Sequence, residues 1–375
     1  MEQLVIGIRA DGGAAIGMGH LMRCLSIAAA LKDRQAQVVF LTSSADSAVF
    51  IREKGYACRL LGEACRDLQK VFTAGQSVEG QLEGTVKKAE QDLDMQGEVE
   101  ETLGIIKELH MKLLVVDSYR VTKAYLESLR PGVKLIYIDD LGTMKLPVDG
   151  LINYNVYGDT LPYKEAYSVE TLLLLGSRYA PVKKQFAEVS YEVRNQARNI
   201  LITMGGSDSL NIAGTLADRL LHTLPEDTLF TLVCGRFSPH LEEVRALAKK
   251  EPRITVLTDV QDMWNVMQRA DLAIAAAGST MYELCTIGVP TICCYYVENQ
   301  RRMAEYFGQH TAVINGGDFS KEPEQVLERI ADETADLLTD FNKRTQLSHK
   351  MRHIADGLGA YRIAEELMHF MLSKG

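Results

Sequence analysis

Apolar residues fall into short runs, each closed by a turn signal and followed by a stretch with helical spacing. The first series is Leu4–Ile8, Val38–Thr42, Leu113–Val116, Leu135–Ile138 and Leu151–Asn153. The second is Asn199–Met204, Thr228–Cys234, Ile254–Leu257, Leu272–Ala275 and Pro290–Val297. Between runs, as in His20–Lys32, residues such as Leu21, Leu25, Ala28 and Ala29 recur at the interval of a helix with one buried face. Short apolar strands alternating with longer helices indicate βαβ units on parallel sheets. Two such series predict two α/β domains.

The join is expected between Gly176 and Asn199, where the loop signal Gly176-Ser177-Arg178-Tyr179-Ala180-Pro181 precedes a polar stretch. This divides the chain into residues 1–178, 179–355 and a closing segment 356–375. Met351–Lys374 reads as a closing amphipathic helix, interrupted early by Asp356-Gly357-Leu358-Gly359. Gln69–Glu108 departs from the pattern, being long, polar and poor in aromatics. Within it, Thr85–Leu109 predicts a solvated helix, and residues 73–84, with three glycines, a mobile loop. Asp92-Leu93-Asp94 is formally a metal-binding D-x-D triad, but a mid-helix position favours a plain solvated face.

Composition narrows the function classes. Lys and Arg total 41 against 50 Asp and Glu, a formal net charge of −9, where a phosphate-gripping surface needs clustered cations. Nucleic acid is therefore not an expected partner. The opening MEQLVIGIRADGG lacks the basic and long apolar regions of a signal peptide, and no window approaches the length of a membrane span. A cytoplasmic protein with no membrane partner is expected. The seven cysteines are odd in number and contain no C-x-x-C pair, which fits scattered reduced thiols. Of the histidines other than His20, only His349 and His353 share helical spacing, in a basic stretch, so no metal is indicated.

Three glycine loops at strand ends could carry chemistry. Arg9-Ala-Asp11-Gly-Gly-Ala-Ala-Ile-Gly17-Met-Gly19-His20 runs from the first strand into the first helix. It lacks the third glycine of a dinucleotide fingerprint, so NAD(P) is not expected. His20 sits at the helix N-terminus, whose positive end disfavours imidazolium; it is a base or merely a capping residue. Ala275-Ala-Ala-Gly278-Ser279-Thr280-Met-Tyr-Glu283 opens a helix where N–H groups could face a diphosphate and Glu283 a ribose diol. Thr280-x-x-Glu283 is equally a capping box. Met204-Gly205-Gly206-Ser207-Asp208 is a second anion-friendly nest, or an ordinary βα turn capped by Ser207 or Asp208. Asp117-Ser118-Tyr119 and Asp139-Asp140 also end buried strands, with one of the latter pair expected to cap a turn. Asn155, Asn299 and Gln300 offer amides suited to sugar recognition. Together the loops suggest a cleft between two domains.

The ordered set I-R-A-D-x5-G-x-G-H-x2-R, V-V-D-S-Y, I-D-D, N-Y-N-V-Y, G-S-R-Y-A, I-T-M-G-G-S-D and A-A-G-S-T-x2-E resembles one family over about residues 4–300. This is the pseudaminic acid pathway hydrolase family, which removes UDP from UDP-2,4-diacetamido-2,4,6-trideoxy-β-L-altropyranose. Spore-coat polysaccharide proteins share much of the pattern. The resemblance implies a GT-B type fold, two Rossmann-like βα domains facing a cleft, and inverting chemistry without metal or other cofactor. It implies that His20 activates water, that Gly278, Ser279 and Thr280 take the pyrophosphate, and that Glu283 holds the ribose. Gly205 and Gly206 would line the nucleotide side. Arg9, Asp11, Gly17, Gly19, Asp117, Tyr119, Asn155, Arg178, Tyr179, Asn299 and Gln300 fall on motif positions facing the sugar or crevice. The expected partner is a small UDP-sugar and the expected state a monomer. A glycosyltransferase on the same fold and a non-catalytic nucleotide-sugar binder are the alternatives. Gly12-Gly13 and the Gln69–Glu108 segment depart from the family pattern.

Overall fold

A computed structural model describes residues 4–12, 18–62, 83–142, 145–206, 208–235, 238–310 and 312–372, with the backbone alone described over 83–94. Its residues divide into two compact units. The first takes the described residues of 1–153, 162–174 and 363–375, the second those of 154–161 and 175–362.

In the first unit seven strands form one sheet in the order β3-β2-β1-β4-β5-β6-β7. They are β1 (Val5–Ala10), β2 (Gln37–Thr42), β3 (Ala57–Leu60), β4 (Leu113–Asp117), β5 (Lys134–Ile138), β6 (Gly150–Asn153) and β7 (Leu172–Leu175). All pairings from β3 across to β6 are parallel. The inner strands are buried on both faces, which is why β4 reads as an unbroken apolar run, Leu-Leu-Val-Val, before its terminal Asp117. Chain order reverses between β1 and β4, where Ala10 lies opposite Asp117. In open parallel sheets ligands bind beyond the carboxyl ends of the strands at such a switch point.

The second unit repeats the plan with six parallel strands in the order β10-β9-β8-β11-β12-β13. They are β8 (Asn199–Thr203), β9 (Leu229–Cys234), β10 (Ile254–Thr258), β11 (Leu272–Ala276), β12 (Thr291–Tyr295) and β13 (Ile314–Asp318). Here the switch lies between β8 and β11, so the exits toward Gly205 and Gly278 are neighbours. The segment after β6 joins this unit through tyrosine contacts. Tyr154 packs edge-on against Tyr282, and the Val156 N–H donates to the Tyr282 hydroxyl at 3.1 Å.

All ten strands expected from the apolar runs are present. β3, β7 and β13 were not expected, and all three are sheet edges. An edge strand needs less apolar surface: β3 buries only Cys58, and β13 is Ile-Asn-Gly-Gly-Asp, whereas β7 is an unbroken run of four leucines that this does not explain. The expected Thr85–Leu109 helix is present as Glu83–Glu108, but it is not simply solvated. Glu98, Thr102 and Ile106, successive turns of one face, are buried. Two polar residues of three hide that face from hydrophobic periodicity. The Asp92-Leu93-Asp94 backbone lies in this helix, its side chains outside the described residues. The loop expected over 73–84 also lies outside them, except that its last two residues, Glu83 and Gly84, already belong to the helix. The tail is two helices, Phe341–Arg352 and Gly359–Leu372, with Gly357 in the left-handed region between them.

Among the described residues no helix is long and apolar enough to cross a membrane. Cys24, Cys58, Cys234, Cys285, Cys293 and Cys294 are free and buried.

The exits of β8 and β9 touch through glycines. A Cβ on Gly235 would sit 2.0 Å from the Gly206 carbonyl oxygen, a backbone atom that cannot swing aside. Gly235→Ala is therefore expected to destabilise the protein by about 1–3 kcal/mol through overpacking, read as a lower urea midpoint at unchanged slope.

Candidate active site

In the first unit the helix Gly19–Asp33 starts at the switch point with His20 in its first turn. Residues three and four apart share a helix face, so His20, Arg23 and Cys24 all meet the carboxylate of Asp117 at the end of β4. His20 Nδ1 lies 2.6 Å from Asp117 Oδ1, Arg23 donates from Nε to Oδ2 at 2.6 Å and from Nη2 to Oδ1, and the Cys24 thiol lies 3.3 Å from Oδ2. Burial alone would raise the Asp117 pKa; the Arg23 guanidinium and His20 outweigh it and hold the carboxyl well below its usual range. A deprotonated carboxylate cannot donate, so the proton between it and His20 belongs to Nδ1. Arg23 Nη2, 2.9 Å from the same nitrogen, gives its proton to Asp117 instead. Nε2 has no hydrogen-bond partner among the described residues and is left to accept a proton.

Arg23 Nη1 also pairs with Asp140 Oδ2 at 2.9 Å, and the Tyr119 hydroxyl donates to that oxygen at 2.7 Å. The Tyr119 ring stands edge-on to His20 at 4.6 Å while remaining 44% exposed, so it forms a wall beside the histidine that solvent can reach. Asp139 is the turn cap of its pair. It accepts from Leu141 N and Gly142 N on Oδ1 and from the Tyr163 hydroxyl on Oδ2.

Asp11 and Arg9 lie one strand over and are both buried. Arg9, expected at the crevice, is 0% exposed, with its guanidinium set between Glu98 and Asp11. Gly19 opens the helix, and Gly17 lies outside the described residues. Arg23 and Asp140 emerge as members of the cluster beyond the expected set. The H-x2-R spacing and the strand-end position of Asp140 were legible signals for both.

In the second unit two glycine loops flank the switch point. Gly205 has φ +82°, which favours glycine, and a Cβ on Gly205, Gly206 or Gly278 would meet no atom within 4 Å. The helix Ile212–Thr223 is capped internally, with Asp208 accepting from Ile212 N at 2.8 Å and Ala213 N at 3.0 Å. The N-cap residue is Asn211 and not Asp208, although the Asp208 carboxylate satisfies these amides from three residues upstream of it; Ser207 lies outside the described residues. The helix Thr280–Ile287 differs. Its N-cap, Ser279, makes no side-chain cap bond, and Glu283 accepts no hydrogen bond among the described residues, so the capping box is not formed. Burial pushes the Glu283 pKa up to about 7, with Lys183 nearby pulling it back. Gln300 accepts from Tyr296 N at 3.2 Å, Asn299 is exposed, and Asn155 is buried. The Arg178 guanidinium covers the ring of buried Tyr179 at 5.0 Å.

Residues 199–358, which carry these loops, match the glycosyltransferase family 28 C-terminal domain. Over 365 residues the chain is 26% identical to the spore coat polysaccharide biosynthesis protein SpsG of Bacillus subtilis, spanning 96% of each. The crystal structure of Acinetobacter baumannii MurG aligns with a TM-score of 0.65 and 16% identity, over 98% of this chain and 99% of that one. The fold is that of the GT-B glycosyltransferases. A stretch of 211 residues is 25% identical to the UDP-2,4-diacetamido-2,4,6-trideoxy-beta-L-altropyranose hydrolase of Campylobacter jejuni, covering 56% of this chain and 75% of the relative.

The raised Glu283 pKa has a consequence for stability. Between its ordinary value of 4.5 and about 7, the native state keeps a proton that the unfolded chain releases. Stability is therefore lost as pH rises through that window, by up to about 3 kcal/mol. Denaturant melts at pH 5 and pH 8 are expected to show this loss in the wild type and much less of it in Glu283→Gln.

Proposed function

We propose that this chain hydrolyses the anomeric C–O bond of a UDP-linked 2,4-diacetamido-2,4,6-trideoxyhexose, with inversion and without a metal. The observation that carries the reading is the His20–Asp117 pair, with Nδ1 committed to the carboxylate and Nε2 left to accept a proton. In the proposed step the water oxygen forms a bond to the anomeric carbon while Nε2 takes the water proton. The C–O bond to UDP breaks and its electron pair leaves with the diphosphate. Asp117 holds the imidazole in one tautomer and meets the positive charge that develops on it. Tyr119 walls the sugar side.

In the second unit, the Ser279 and Thr280 N–H groups would receive the diphosphate, with Gly205, Gly206 and Gly278 giving the ligand close approach. Glu283 would accept from the ribose hydroxyls as a carboxylate. The likeness to the Campylobacter hydrolase supports the substrate class. The glycosyltransferase family 28 match favours a second reading, in which Nε2 takes the proton of an acceptor hydroxyl instead of water.

Phosphorus NMR of UDP release from a panel of UDP-sugars, with chelator and no acceptor, separates the two. Release from the diacetamido-trideoxy sugar with inverted free product supports hydrolysis; release only on adding an acceptor supports transfer. His20→Asn is expected to lower turnover roughly 10²–10⁴-fold while leaving UDP binding unchanged, by calorimetry. UDP should bind about tenfold more tightly at pH 8 than at pH 6, as Glu283 ionises. The difference between wild type and Glu283→Gln removes the ligand's own titration from that comparison.

A further inference from the structure

We propose that Glu98 is a positioning residue for the His20 site, acting through Arg9 and Asp11 from a helix outside the strand-end motifs. The proposal rests on His20 being the base of the reaction proposed above.

Arg9 lies on β1 with its guanidinium between two carboxylates: Nε is 2.7 Å from Glu98 Oε1 and Nη1 is 2.6 Å from Asp11 Oδ2. All three residues are at most 3% exposed. Glu98 is fixed in turn by the Tyr125 hydroxyl at 3.2 Å, which lies 3.3 Å from the Thr102 hydroxyl one helical turn on. Asp11 gathers the neighbouring strand ends. Its Oδ1 accepts from the Thr42 hydroxyl at 3.0 Å, the Ser43 N–H at 3.0 Å and the Ser43 hydroxyl at 3.1 Å, all at the exit of β2. Its Oδ2 takes the Ser118 hydroxyl at 3.4 Å, at the exit of β4. Ser118 follows Asp117, the residue that holds His20. A chain of side-chain contacts thus runs from Glu98 to the residue beside the His20 partner.

Charge balance does not require Glu98, because Arg9 and Asp11 already neutralise one another. Nor does stability require a charge at this position as such, since Arg9 keeps Asp11 as its partner and an apolar side chain of similar volume fills the space. What Glu98 adds is direction. Glu98 fixes Nε by a short hydrogen bond, whereas the Asp11 contact at Nη1 is an ion pair without hydrogen-bond geometry and Nη2 reaches the Ser43 hydroxyl only at 3.4 Å. Without Glu98 the guanidinium keeps only these two looser contacts and can reorient on Asp11, drawing that carboxylate away from Ser43 and Ser118. Small displacements at a reacting centre are costly to rate.

The test uses the full-length protein with Glu98→Ala, Glu98→Gln and Glu98→Met. Four quantities are read: turnover by UDP release, UDP affinity, urea stability, and the proton NMR signal of His20 Nδ1–H, assigned by its loss in His20→Gln. Glu98→Ala is expected to lower kcat roughly 10–100-fold and move the His20 signal, with UDP affinity within about twofold of wild type. Glu98→Gln, which keeps an acceptor for Arg9 Nε, should recover most of the turnover and the wild-type signal. Glu98→Met, which fills the space and leaves the Arg9–Asp11 pair in place, should be more stable than Glu98→Ala while kcat and the signal stay displaced, and it carries the same readouts if Glu98→Ala does not fold. A folded Glu98→Ala protein with wild-type kcat and His20 signal overturns the proposal. So does a Glu98→Met protein with wild-type kcat and His20 signal. If the wild type releases UDP from no UDP-sugar, the hydrolase reading falls, and the His20 signal alone still decides the role of Glu98.

Discussion

The first unit is organised around one buried carboxylate. Asp117 ends an apolar strand, where a charge taken out of water is costly unless paired and hydrogen-bonded. One face of the helix Gly19–Asp33 supplies the remedy: Arg23 spans both oxygens, His20 takes one and Cys24 lies against the other. The same contacts that make Asp117 tolerable also orient the imidazole and anchor the helix start to the sheet. Arg23 then reaches Asp140 on the next strand exit, which brings Tyr119 beside the histidine. Site and scaffold are held by one set of bonds.

The second unit uses similar loops to opposite ends. At the helix Ile212–Thr223 the chain supplies its own anion, Asp208, to the free amides. At the helix Thr280–Ile287 it supplies none, and Glu283 one turn in remains without a hydrogen-bond partner among the described residues. Two helix starts at one switch point therefore differ in whether their positive end is already compensated. Sequence shows a glycine loop in both places.

The central strands were legible because burial on both faces writes an uninterrupted apolar run. The edges β3 and β13 were not, since a strand flanked on one side can be built from residues such as Arg59 or Gly316; β7, four leucines, carries the same apolar run as the central strands and has no such reason. His20, Asp117 and Tyr119 were legible because each lies at a helix start, at a strand end or just beyond one. Arg9 was placed with them by its motif, yet its side chain turns inward to Glu98, 89 residues away. No local pattern encodes a partner at that distance. The partial burial of Glu283 was equally hidden, because it depends on what packs around the helix and not on the helix itself.

The polar seam of the helix Glu83–Glu108 carries one more consequence. An apolar seam is non-directional, and a helix resting on one can slide or roll by a fraction of a turn at little cost. Hydrogen bonds lose strength steeply once donor and acceptor fall out of line. Glu98 meeting Arg9, with Thr102 and Glu98 both near the Tyr125 hydroxyl, therefore sets this helix in a single axial register against the sheet. Insertion or deletion of one residue inside the helix between Glu98 and Thr102 or Ile106 would rotate one part of that seam against the other by about 100°. The spacing of Glu98, Thr102 and Ile106 is thus constrained by the polar seam itself.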